Sequence, residues 1–150
     1  MTEKNEKIKK IVEEFFEKMN FKVDIDLGKE KENVLPLSLK TEEPQILIGG
    51  GGKTLIEIQK ILGKILRKKL GEQFFLDLDI NQYKKNKIEY LKDLAKTTAD
   101  EVALSKKEKA LPPMSSFERR IIHLALAERE DVTTESEGEG EERKVIIKPA

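Results

Sequence analysis

Apolar residues recur along this chain with two different periods, and each change of period marks a change of element. In EKIKKIVEEFFEKMNF the residues Ile8, Ile11, Val12, Phe15, Phe16 and Met19 return every three or four positions. That spacing places them on one face of a helix over residues ~4–20. FKVDIDLG then alternates Phe21, Val23, Ile25 and Leu27 with polar residues, the pattern of a half-buried strand. After the charged turn EKEN, VLPLSLK reads as a second strand paired to the first. Pro36 has no N–H to give to a ladder, so an edge position or a bulge is expected there. TEEP turns the chain, and QILI is a short apolar helix running into four glycines.

KTLIEIQKILGKILRKKLG returns to the helical period. Leu55, Ile58, Leu62, Ile65 and Leu66 form its apolar stripe, and Gly71 is a natural stop. Lys53, Glu57, Lys60, Lys64 and Arg67 step by three and four along the other side. QFFLDLDI is a third strand, with Phe75, Leu76, Leu78 and Ile80 available for burial. From ~82 to ~105, Ile88, Leu91, Leu94, Ala95, Thr98 and Val102 mark a long helix that links this unit to a second one. KALPPM is a loop or short extended piece. SSFERRIIHLALAE is a helix with Ser115 or Ser116 as N-cap and Glu118 in its first turn. DVTTES, the turn EGEGEE and RKVIIKP read as a hairpin. The fold class is therefore α+β: an αββααβ unit over residues 1–82, then a small α+β unit over residues 83–150 that includes the long helix.

Composition narrows the chemistry. There are no cysteines, which excludes disulfides and thiolate metal sites, and one histidine, His123, which argues against a His-based metal site. No cofactor and no metal are expected. No run of about 18 apolar residues exists and no signal-peptide core opens the chain, so a cytoplasmic location is the expectation. Formal net charge is zero, but its distribution is uneven. Residues 49–71 hold six basic residues and one acidic, and residues 105–125 hold five basic and two acidic. Residues 126–150 hold four basic and eight acidic. Two local positive fields can act on a partner although the total is zero.

The glycines Gly49, Gly50, Gly51 and Gly52, followed by Lys53 and Thr54, suggest a phosphate-binding loop. A nucleotide-hydrolase P-loop needs a glycine five positions before Gly52, and Leu47 stands there. A dinucleotide fingerprint counted from Gly49 fails at Thr54. Asp77 and Asp79 mimic a metal-binding strand end, but alternating carboxylates on a half-exposed strand ordinarily face water. The other reading is G-x-x-G between two helices. A turn without side chains lets a nucleic-acid backbone come close, and the following helix N-terminus favours phosphate.

In this order of elements the glycine motif resembles a KH domain of the type whose N-terminal helix and strands precede the motif. Such loops usually carry a basic residue at a central position, where this chain has Gly50 and Gly51; Lys53 could compensate in part. In FERRIIHLAL, Arg119 and His123 lie four apart and so on one helix face, with Arg120 about 100° round. PMSSFERRIIHLAL followed by DVTTESEGEGEERKVIIKP closely resembles the R-3-H domain. The succession of the two, covering nearly all of the chain, is similar to the bacterial Jag family, also called SpoIIIJ-associated proteins. Many of its members have an additional N-terminal domain, which the resemblance leads us to expect is lacking here.

The resemblance implies a non-catalytic binder of single-stranded RNA, or of single-stranded DNA. It also implies an RNA regulator linked to cell growth or envelope processes. The residues it implicates are Gly49, Gly50, Gly51, Gly52, Arg119, Arg120 and His123; the basic stripe of Lys53, Lys60, Lys64 and Arg67 on the helix after the glycines is expected to extend this surface. Aromatics are scarce at 5% and none lies among the glycines, so no stacking platform is evident. A second reading that the resemblance implies is a protein adaptor of membrane-insertion or cell-elongation machinery, for which the acidic hairpin 135–142 could serve. Nucleotide hydrolysis ranks third.

Overall fold

The computed structural model describes residues 2–150, which divide into two compact units after Lys84. In the first, helix α1 (Glu3–Glu17) starts at Thr2, whose hydroxyl accepts the Asn5 N–H at 3.1 Å. Strands β1 (Asp24–Leu27), β2 (Val34–Lys40) and β3 (Phe75–Ile80) form a sheet in the order β1-β2-β3. Between β2 and β3 the chain runs through α2 (Pro44–Ile48), a tight turn (Gly50–Gly52) and α3 (Lys53–Leu70). The connection is long because β2 and β3 are parallel, while β1 pairs with β2 antiparallel.

The parallel register puts Leu35, Leu37 and Leu39 opposite Leu76, Leu78 and Ile80, all buried. Ile8, Ile11, Val12 and Phe16 of α1 and Leu55, Ile58, Leu62 and Leu66 of α3 share their core. Each fully buried side chain of this size contributes roughly 1.5–3 kcal/mol. The burial phase of β3 corrects one expectation. Phe74 is buried and Phe75 is 55% exposed, because successive side chains on a strand must point to opposite faces and the leucines take the inner one.

The place of Pro36 is a second correction. Its strand is the central one, not an edge. Its carbonyl accepts the Gly28 N–H at 2.9 Å, so the missing Pro36 N–H falls on the β1 side, just past the last β1–β2 partners Leu27 and Leu37. The ladder to β3 loses nothing. A Cβ on Gly28 would lie 2.9 Å from the Pro36 Cβ, so the bare glycine is what permits this close rung.

In the second unit, α4 (Tyr83–Ser105) buries Leu91, Ala95, Thr98, Ala99 and Val102, most of them in a core shared with Ile122 and Leu126 of α5 (Ser116–Leu126). The long helix is thus a core element of this unit rather than a bare link. The sheet has the order β4-β6-β5, made of β4 (Lys109–Ala110), β5 (Val132–Glu137) and β6 (Lys144–Pro149). β5 and β6 are the expected hairpin, and KALPPM is the extended piece, its Leu111 N–H donating to Val145 O at 2.9 Å. Among the described residues no helix is long and apolar enough to cross a membrane.

Candidate nucleic-acid interface

The four glycines do different jobs. Gly49 has φ 73° and ψ 174°, a conformation that is essentially glycine's alone, and a Cβ there would clash with the Thr54 hydroxyl. Gly52 is left-handed at φ 80°, and a Cβ on it would meet the Tyr83 ring at 3.1 Å. Gly50 and Gly51 have nothing within 4 Å of a Cβ, and only Gly51 is left-handed, at φ 64°. Gly49 and Gly52 are therefore the fixed hinges of the turn, and Gly50 and Gly51 its open tip. Gly49→Ala should destabilise the protein by roughly 2 kcal/mol or more, while Gly50→Ala should be near neutral. Urea unfolding of both variants checks this.

The turn ends at Gly52, the N-cap of α3, which has no side chain to accept the first N–H groups of the helix. No acidic residue occupies the first turn, and Lys53 opens it, exposed. The helix dipole and its first N–H groups thus point at the glycine tip, a favourable place for an anion. Lys60 and Lys64 are exposed further along α3, Lys60 lying 3.6 Å from Glu57. Arg67 stands apart from them. It is half-buried and donates to Phe74 O at 3.2 Å, tying α3 to the start of β3.

The same edge of β3 is covered elsewhere. Gln59 Oε1 accepts the Leu78 N–H at 3.0 Å and Lys84 Nζ at 2.8 Å. Asp77 accepts Lys84 Nζ at 3.0 Å, and Asp79 Oδ1 accepts the Lys84 N–H at 2.9 Å at the start of α4. The two aspartates that could have mimicked a metal-binding strand end serve the strand and the helix start. Among the described residues there is no cluster of three or more metal-ligating side chains.

In the second unit Ser115 caps α5, its hydroxyl accepting the Glu118 N–H at 3.2 Å and donating to Glu118 Oε1 at 3.0 Å. One turn on, Arg119 is half-buried and donates through Nη1 to Met114 O at 2.8 Å, which fixes the guanidinium beside His123. Arg120 is exposed. His123 turns to the hairpin: Nδ1 lies 2.7 Å from Thr134 Oγ1 and Nε2 lies 2.9 Å from Ser136 Oγ. Hydroxyls can donate or accept, so both nitrogens are satisfied with the ring neutral or charged. Burial pushes the imidazole below its ordinary value, and the Arg119 charge pushes it further the same way.

Thr134 and Ser136 are the residues that sequence reasoning missed. Their alternation along β5 was visible, but a polar residue facing a helix looks the same in sequence as one facing water. Tyr83 beneath Gly52 was missed for a related reason, since a contact between residues so far apart in the chain leaves no local trace. The alternation has an electrostatic result. Thr134 and Ser136 face α5, so Glu135 and Glu137 point to the other side of the sheet, where Lys148 lies 2.8 Å from Glu135 and 3.9 Å from Glu137. The acidic strand keeps its carboxylates away from Arg119.

This cap, arginine pair and hairpin-bound histidine coincide with a known domain: residues 89–149 match the R-3-H domain family. The second unit is an R-3-H domain. Over 137 residues, 91% of it, the chain is 37% identical to the RNA-binding protein KhpB of Clostridium symbiosum, and covers 62% of that protein. It is 33% identical over 128 residues to the RNA-binding protein KhpB of Bacillus subtilis (strain 168), covering 84% of this chain and 61% of the relative. With the protein of the same name from Lactiplantibacillus plantarum the figures are 34% over 125 residues, 83% and 38%. The chain thus spans less than two thirds of the length of each of these relatives.

Proposed function

We propose that this protein binds single-stranded RNA without catalysis, with a KH-type first unit and the R-3-H domain each holding sugar-phosphate backbone. The observation that carries the reading is the glycine turn. Its tip is open, its hinges are fixed, and it delivers the uncapped N-terminus of α3 to whatever lies against it. Backbone approach and N–H donors suit phosphate rather than base edges, so binding is phosphate-led and weakly sequence-selective. Lys53, Lys60 and Lys64 extend the attraction along α3, and Arg119 with Arg120 supplies it in the R-3-H domain. Arg67 is left out of this surface because its guanidinium holds β3. The element order, and relatives named RNA-binding protein KhpB, support the assignment to the Jag type.

Salt tests this. With roughly three to five phosphates neutralised, log affinity for a single-stranded RNA should fall against log salt with a slope of about −2 to −3.5. Fluorescence polarisation across a salt series measures it, and a flat dependence would contradict phosphate-led binding.

A further inference from the structure

Phe117 is the aromatic residue of α5, and it is 58% exposed in the first turn of that helix. The core does not need it: α5 buries Ile122 and Leu126 instead. At about 100° per residue, Phe117, Arg120 and Leu124 lie on one outer ridge, and Leu124 is 65% exposed. Going round the helix from this ridge, Arg120 comes first, then His123, then Arg119. An apolar plate therefore borders Arg120, while Arg119 lies about 160° round the helix from Phe117.

Glu118 is the one carboxylate of α5, and it would repel a phosphate here if it were free. It is engaged on both oxygens, Oε1 by Ser115 and Oε2 by Lys87 at 3.5 Å. The carboxylates of β5 point away, as described. A large exposed aromatic next to an arginine, with the carboxylates of α5 and β5 engaged or averted, suits a flat, uncharged ring joined to a phosphate.

We propose that Phe117 is a stacking platform for an unpaired base of the strand whose phosphate rests on Arg120. Residues three apart on a helix have Cβ atoms about 5–6 Å apart, so plate and cation fall within the span of one nucleotide. Stacking on a ring tolerates any base, which keeps recognition weakly selective. The inference rests on the nucleic-acid reading and deepens it, because phosphate contacts alone would give no means of telling a strand with bases from one without.

The chain contains no tryptophan, so Phe117→Trp introduces a single reporter at this position. Its emission is followed on adding a single-stranded RNA decamer, or an abasic decamer of the same length and charge. The expected result is quenching by the first and not by the second. In parallel, Phe117→Ala should weaken binding of the decamer about five- to thirtyfold and leave the abasic strand unaffected. Unchanged decamer affinity in Phe117→Ala, with no quenching in Phe117→Trp, would overturn the platform while phosphate binding stands, and would give the ridge to a protein partner. If the wild type binds neither strand, the underlying reading fails with it.

Discussion

Arg119→Ala is expected to lower affinity for single-stranded RNA about tenfold at pH 7.5, the scale of one lost charge-assisted contact. The proposed binding mode assigns Arg119 that contact. One donor is spent on Met114 O, which holds the planar group in place, and its remaining donors lie beside a helix face without a free carboxylate. Arg119→Lys should recover only part of the loss, because an ammonium cannot grip two phosphate oxygens with a planar fork. The pH dependence separates a direct role from a structural one. His123 is held below its ordinary value by burial first and by the Arg119 charge second. Removing Arg119 takes away the second cause, so the histidine of the variant gains its proton at higher pH than that of the wild type. A phosphate nearby favours that proton. The difference between variant and wild type should therefore narrow between pH 7.5 and pH 6. The effect on stability has the opposite sign. A histidine with a lowered folded value stabilises the fold fully above its unfolded value of about 6.5, and this contribution is lost as pH falls through the folded one. Circular dichroism at each pH keeps the two effects apart. Equal affinity in folded Arg119→Ala and wild type would make the arginine a clamp on Met114 and nothing more.

The double substitution Gly50→Asp with Gly51→Asp should weaken RNA binding more than tenfold while the melting temperature changes by only a few degrees. Both sites open onto empty space, and aspartate is among the residues that accept the left-handed backbone of Gly51 at modest cost. Two carboxylates would then stand where a phosphate must come, in front of the positive end of α3. Gly50→Lys should act in the other direction and raise affinity, since it places a cation at the tip without strain. Binding that responds to neither change would leave the glycine turn as a linker between two helices.

The order of elements, the hairpin, the glycine turn and the R-x-x-x-H spacing were all legible in the sequence, because each is a local pattern. What was not legible depends on contacts far apart in the chain. Pro36 suggests an edge strand when only its own missing N–H is considered. Its tolerance in the central strand comes from where β1 happens to stop, at Leu27. Arg67 belongs to the basic stripe of α3 by spacing, and only the position of β3 turns it inward to Phe74 O. His123 shares a helix face with Arg119 by spacing, which by itself leaves it a surface residue or one packed against the hairpin. Its wiring to Thr134 and Ser136 requires knowing which face of β5 meets α5. Phe117 is the reverse case: composition shows few aromatics, and only the structure shows that this one is left uncovered.

Which backbone and side-chain groups sense the RNA is decided most directly by titrating a short single-stranded RNA into the isotopically labelled chain and following its amide resonances. Phosphate-led binding through both units predicts the largest shifts at Gly50, Gly51 and the first turn of α3 in one unit, and at Phe117, Arg119 and Arg120 in the other, with Glu135 and Glu137 little changed. Shifts confined to the acidic face of β5, or none at the glycine turn, would contradict it.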